Sequence, residues 1–202
     1  MYIRKLKTLL RVIDGCRYYK LNIFDILNIL GFIVYFKLEK WHITQLASAT
    51  KYQKFIIKKI NSDRKFKRIL DVGCGLGIIS RKLKVESYIG LDQQQEIIYC
   101  AGKINKSDKA RFEKRNLDNI IDYLDVDVVL CVNLLHRYEV DEVFKIFCNW
   151  YEYKEDLKVI FDYNVKCDVL RGELIQRLAV EELSRDVKIG RKVYILEGVN
   201  KN

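Results

Sequence analysis

Apolar positions along the chain change their period near residue 67. Before it the pattern is helical: Ile3, Leu6, Leu9, Leu10 and Ile13 recur at three- and four-residue intervals, with Arg4, Lys5, Lys7 and Arg11 on the other faces. This predicts a basic amphipathic helix over residues 1–20, which either packs on the domain with a solvated charged face or binds a membrane surface or partner. Residues 21–36 are strongly apolar, but Asn22, Asp25 and Asn28 interrupt them. The run falls short of the roughly 20 residues a membrane span requires, so a buried or peripheral helix is expected. Residues 45–60 repeat the helical period, with Ala47, Tyr52, Phe55, Ile56 and Ile60 on one side and Lys51, Lys54, Lys58 and Lys59 on the other.

From residue 67 onward short apolar runs alternate with helical stretches. The runs at 69–72, 87–92, 110–114, 126–132 and 158–163 read as strands. Helices are expected at 78–83, 96–104, 142–151 and 168–184, followed by a hairpin or bent strand over 187–197 with Gly190 at the turn. Alternation of this kind predicts an α/β fold, a three-layer sandwich around a mostly parallel sheet. The expected division is a basic helical extension over 1–66, acting as a lid, and one domain over 67–202.

The totals refine this picture. A chain of 202 residues, half of them hydrophobic, can bury one substantial core. Its six cysteines form no C-x-x-C pair or metal-like spacing and read as reduced, small core residues. The net charge of +10 is unevenly placed: through Arg68 there are 16 Lys or Arg against 4 Asp or Glu, and beyond it 21 against 23. An acidic partner would therefore meet the N-terminal third: nucleic acid, anionic lipid or a phosphorylated acceptor. The first apolar stretch ends in Asp14-Gly15-Cys16-Arg17 without a small-residue cleavage pattern. A cytoplasmic location is expected, peripheral at the inner membrane face if the N-terminus meets lipid.

The candidate chemistry centres on residues 69–80, ILDVGCGLGIIS. Glycines at 73, 75 and 77 let the chain turn sharply against a ligand after a buried strand, because a Cβ would block both positive φ angles and close approach. A dinucleotide loop requires G-x-G-x-x-G, whereas here the third glycine is Gly77 and Ile78 follows, which argues against NAD. Asp71, two residues before the first glycine, suits a ligand ammonium group rather than a pyrophosphate. Asp92 ends the next strand, about 20 residues beyond the loop, the distance at which such folds bring a carboxylate to ribose hydroxyls. Trp41 and His42, adjacent before the 45–60 helix, either line a pocket or anchor the N-terminal segment to the core.

The segment resembles motif I of the class I S-adenosylmethionine-dependent methyltransferases, and the elements after it fall where that family places them, over about two thirds of the chain. The resemblance implies S-adenosylmethionine as cofactor, with Asp71, Gly73, Cys74, Gly75, Gly77, Asp92, Gln93 and Asn133 around it. At the end of the third strand the family usually carries an acid that accepts from the adenine amino group. Here Asn116 aligns, with Asp118 two residues on, and Leu117 offers its backbone N–H. The 45–60 helix would cross the cofactor, making Tyr52 a lid residue.

Residues 125–138 resemble motif IV, with Asn133-Leu134-Leu135-His136 at the mouth of the loop. Methylation of exocyclic base amines calls for Pro-Pro after the Asn, and this chain has no proline. Cytosine C5 methylation calls for a Pro-Cys nucleophile, whereas Cys131 lies inside the strand. His136 is the candidate general base, with a structural or substrate-orienting role as its alternative. Asp162 and Asn164 resemble metal ligands of catechol-type methyltransferases, but the fourth strand ends without the third carboxylate, so no metal is expected.

The favoured function is O-methylation of a small molecule or of a sugar in a surface-polysaccharide precursor. Lys40-Trp41-His42 ahead of a helix and motif I is similar to methyltransferases of bacterial polysaccharide loci. The alternatives are an RNA methyltransferase using the basic third as its footprint, and a binding protein without catalysis. Nucleic acid is the less favoured partner beside a small-molecule or glycan acceptor.

Overall fold

The computed structural model describes residues 2–38, 51–117, 120–164, 175–186 and 191–199. Strand β1 (Arg68–Val72) lies at the middle of a seven-stranded sheet and pairs in parallel with β2 (Ser87–Asp92) on one side and β4 (Val128–Cys131) on the other. Beyond them lie β3 (Ala110–Lys114) and β5 (Lys158–Asn164), both parallel. A hairpin of β6 (Leu178–Asp186) and β7 (Arg191–Val199) closes the edge, giving the order β3-β2-β1-β4-β5-β7-β6. Only β7 runs against its neighbours.

Both faces of the sheet are covered, so its central strands are apolar at every step rather than at alternate ones. Leu70, Val72, Val129, Cys131 and Phe161 pack on one side against α5 (Val140–Tyr153), which contributes Val143, Phe147 and Trp150. Ile69, Val128, Leu130, Ile160 and Val193 pack on the other against α3 (Lys51–Ser62), through Tyr52, Ile56 and Ile60. Each such side chain, when fully buried, stabilises the fold by roughly 1.5–3 kcal/mol.

The N-terminal helices α1 (Tyr2–Tyr18) and α2 (Ile23–Tyr35) join the domain through a third cluster. Cys16, Tyr19 and Ile29 meet Ile57 of α3, Leu76 and Ile78 after β1, and Cys100 and Ile104 of α4 (Gln95–Ile104). Arg81 fixes this arrangement. Its guanidinium donates to the carbonyls of Tyr19 (3.1 Å), Lys20 (3.0 Å) and Ile104 (2.8 Å) and pairs with Asp25 at 3.1 Å. Asp25 also completes a capping box with Asn22 that starts α2.

Two expected elements differ. The stretch predicted as a helix over 78–83 is a five-residue 3-10 helix, Ile78–Lys82. The crossover from Gly73 must reach Ser87, which lies beside Arg68 in the register, in few residues. A 3-10 turn covers about 2.0 Å per residue against about 1.5 Å for an α-helix, so it spans more with less. Of the helix expected over 168–184, residues 168–174 lie outside the described residues, 175–177 are helical and Leu178 onward is strand, so the hairpin begins there rather than at 187. Its alternation is broken by register shifts at Ala179/Val180 and Glu182/Ser184, which hid its period of two.

Among the described residues, five cysteines are free thiols, and no helix is long and apolar enough to cross a membrane.

Candidate active site

Strand order reverses between β1 and β4, and in open α/β sheets the crevice at that switch, beyond the carboxyl ends of the strands, is where ligands bind. Asp71, Asp92, Asn133 and Asp162 all sit at or just past those ends. The glycine loop leaves β1 with Gly73, Gly75 and Gly77 at φ of 73°, 54° and 62°. The amides of Gly73 and Cys74 donate to the Leu91 carbonyl at 2.8 and 2.9 Å, holding the loop against β2. A Cβ on Gly77 would stand 2.2 Å from the Phe112 ring, so close approach as well as φ requires glycine there.

Two carboxylates flank this loop. Asp92 accepts from the Gly75 amide at 3.2 Å and from the Gln94 amide at 3.0 Å, which fixes both oxygens at the strand end. Burial pushes its carboxyl up, partly offset by those amides and by the charge of Arg137. Asp71 is almost wholly buried and accepts a 2.5 Å hydrogen bond from the Tyr88 hydroxyl. Burial and the neighbouring Asp92 push its carboxyl up to about 7, against the pull of Tyr88. A cation placed between these acids would relieve both.

The remaining sequence-predicted residues fall into three groups. Cys74 is buried in the loop, its thiol directed at the Gly75 carbonyl and pushed up by burial. Gln93 is exposed beside Asp92, and exposed Asn116 and buried Leu117 follow Arg115, whose amide donates to the Asp92 carbonyl at 3.0 Å. Trp41, His42 and Asp118 lie outside the described residues.

Asn133 and Tyr52 meet in a cluster the sequence did not disclose. Asp162, buried at the end of β5, accepts from the Asn133 amide and from Arg191, whose second nitrogen donates to the Asn133 side chain. The guanidinium of Arg191 also stands 5.1 Å from the centre of the Tyr52 ring. Together these contacts hold Asn133 at φ 58°, a left-handed conformation that Asn tolerates better than most residues. Burial raises the Asp162 carboxyl, offset by Arg191, the Asn133 amide and the charge of His136. Exposed His136 lies three residues past Asn133 in the 3-10 turn Leu135–Arg137. Arg191 could have been noticed only as the cation directly after Gly190 at a predicted turn. Among the described residues there is no group of three His, Cys, Asp or Glu side chains able to hold a metal.

A glycine loop at the switch point of a 3-2-1-4-5-7-6 sheet, with acids ending β1 and β2, defines a nucleotide-type site on a Rossmann-like fold. Residues 69–154 match the family model described as a methyltransferase domain. A protein of Geobacillus sp. (strain WCH70) named as a methyltransferase is 30% identical over 144 residues, covering 66% of this chain and 58% of its own. Over these residues the chain is similar to the class I S-adenosylmethionine-dependent methyltransferases.

Solved structures of the same fold include a TehB-like SAM-dependent methyltransferase from Corynebacterium glutamicum, with a TM-score of 0.60 at 17% identity, covering 84% of this chain and 98% of that one. The magnesium protoporphyrin IX methyltransferase of Synechocystis PCC 6803, solved with bound SAM, gives 0.58 at 13% identity, covering 80% and 86%. The bifunctional kinase-methyltransferase WbdD gives 0.60 at 20% identity, covering 74% of this chain and 40% of that one. The chain thus spans little more than half of the Geobacillus relative and less than half of WbdD.

Proposed function

We propose that the protein is an S-adenosylmethionine-dependent methyltransferase that methylates a hydroxyl of a small molecule or of a sugar in a surface-polysaccharide precursor. The observation that carries the reading is the pair of acids, buried Asp71 and half-buried Asp92, on either side of a loop whose three glycines all adopt positive φ. Asp71 would pair with the ammonium group of the cofactor, and Asp92, already oriented by two amides, would accept from the ribose hydroxyls. The loop from Gly73 through Cys74 and Gly75 to Gly77 would lie along the cofactor, with Gln93 beside the ribose. Leu117, through its backbone N–H, and Asn116 would meet the adenine. Tyr52, Trp41 and His42 are proposed to border the acceptor.

S-adenosylmethionine supplies a methyl group already activated by its sulfonium. This chain's residues then have two tasks, alignment and removal of one proton. Asn133, locked by Asp162 and Arg191, would help to align the cofactor. His136, exposed three residues beyond Asn133, would take the proton from the acceptor hydroxyl during the transfer. Asp162 beside it favours the protonated imidazole that results.

The likeness of Lys40-Trp41-His42 to enzymes of polysaccharide loci supports the substrate class. Titration calorimetry with S-adenosylmethionine and S-adenosylhomocysteine tests the reading. Micromolar binding by the wild type, weakened at least about tenfold in Asp92→Ala, is expected, since a charged hydrogen-bond acceptor is lost. A labelled-methyl screen of glycans, lipid-linked sugars and RNA then identifies the acceptor. Absence of binding by a folded wild type overturns the enzyme reading in favour of a non-catalytic binding protein. Transfer to RNA alone overturns the substrate class.

A further inference from the structure

The outward face of α2 is apolar. At 100° per residue, Leu30, Ile23, Val34, Leu27, Gly31, Phe24 and Tyr35 fill an arc of about 140°. Within it Phe24 is 71% exposed, and Val34 and Tyr35 are each 79% exposed. The opposite side of the helix is occupied too: Ile29 is buried in the domain, and Phe32 and Phe36 each pack edge-on against Tyr99 of α4 at 5.9 Å. An ordinary surface helix turns its polar residues outward. This one is apolar on both sides and is not long enough to span a bilayer. Its orientation is fixed, because Asp25 both caps it and pairs with Arg81.

Charge selects the occupant. Exposed Lys20 and Lys37 flank α2 in the chain, just before and just after it, and α1 adds exposed Arg11 and Arg17, against one exposed acid, Asp14, among the described residues of the same stretch. They belong to the third of the chain that carries 16 Lys or Arg against 4 Asp or Glu. A second copy would bring another such cluster against the first, and like charges at a contact oppose it. An anionic bilayer surface satisfies both features, taking the side chains into its acyl boundary and neutralising the cations with its headgroups.

We propose that α2, together with the cations that flank it, docks the protein on the surface of an anionic membrane, lying in the interface rather than crossing it. This inference does not rest on the methyl-transfer reading. The docked molecule would keep its glycine-loop site on the domain while α2 and its cations face lipid.

The test is vesicle flotation of the full chain. Vesicles of phosphatidylcholine with about a third phosphatidylglycerol are compared with phosphatidylcholine alone, at about 0.1 M and about 0.5 M salt. Binding to the anionic vesicles, weakened at high salt and at least about tenfold lower with Phe24→Ser/Leu27→Ser, is expected from withdrawing two large side chains from the interface. Circular dichroism melts should match the wild type, because both side chains are already in water. Val34→Ser/Tyr35→Ser, at the other end of the arc, should act in the same way and serves if the first variant misfolds. Equal binding to both lipid compositions, or unchanged binding by both variants, overturns the proposal. So does a wild-type dimer in sedimentation that the variants dissociate while neither floats with vesicles. Cofactor calorimetry on the same variants should be unchanged, which separates failure here from failure of the enzyme reading.

Discussion

Replacing Asp71 by Asn should remove a pH dependence that the wild type carries in both stability and ligand binding. Asn keeps the shape and can still accept from the Tyr88 hydroxyl, which lies 2.5 Å from the carboxylate. In the folded protein the Asp71 carboxyl is pushed up from 3.8 to about 7, chiefly by burial. The folded state therefore holds a proton that the unfolded chain releases. The stabilisation by this group is complete below about pH 4 and is lost as pH rises through about 7. Each tenfold gain in proton affinity is worth about 1.4 kcal/mol, so the full rise corresponds to about 4 kcal/mol, of which about 2–3 kcal/mol falls between pH 5 and pH 8.

Urea unfolding of wild type and Asp71→Asn across that range should show the variant gaining this much relative to the wild type as pH rises. Binding should move the other way. In the proposed pairing with Asp71 the ammonium of S-adenosylhomocysteine would favour the carboxylate, so wild-type affinity should rise as pH increases through about 7, with protons released to the buffer at lower pH. Both effects should be absent in Asp71→Asn, whose affinity should be weaker above about pH 7. Stability curves of the two proteins that run parallel from pH 5 to 8 would refute the assignment of a proton to this carboxyl. Proton release that persists in the variant would place the titrating group elsewhere.

Gly77→Ala should destabilise by about 2–5 kcal/mol, combining a left-handed φ of 62° with a Cβ placed 2.2 Å from the Phe112 ring. Gly73→Ala should cost only about 1–2 kcal/mol, because its Cβ meets the end of the Leu134 side chain, which can turn aside. Urea titrations of the two in parallel check the order, and equal losses would count against the packing argument. Arg81→Ala should cost about 2–3 kcal/mol through loss of charge-assisted hydrogen bonds. It should also expose the 19–22 connection to limited proteolysis before the sheet unfolds. A melt and a proteolysis pattern like those of the wild type would show that the N-terminal helices are held some other way.

The parts of the fold that the sequence disclosed are those set by neighbours along the chain. The run Ile69–Val72, the glycines after it and the acid at 92 each follow from local chemistry, and their strands and loop lie where that chemistry puts them. The site's other half depends on residues far apart in the chain. Asp162 and Arg191 are 29 positions apart, and nothing local marks them as partners for Asn133. Strand β6 was hidden by its two register shifts and by Glu181-Glu182, which sits as readily on a helix as on a solvent-facing edge. The outward face of α2 was concealed for a different reason. When both sides of a helix are apolar, periodicity cannot tell which one the domain covers.

Arg81 grips the N-terminal helices mainly by main-chain oxygens, those of Tyr19, Lys20 and, on the domain side, Ile104. A carbonyl is the same atom whatever side chain it carries, so this clasp reads the path of the backbone and is blind to its spelling. Of the helix residues it touches, only Asp25 contributes a side chain. Over evolutionary time the outward side chains of such an appendage are free to be rewritten, provided the turn at 19–22 keeps its course. One scaffold could thereby be addressed to different surfaces without disturbing the domain beneath it.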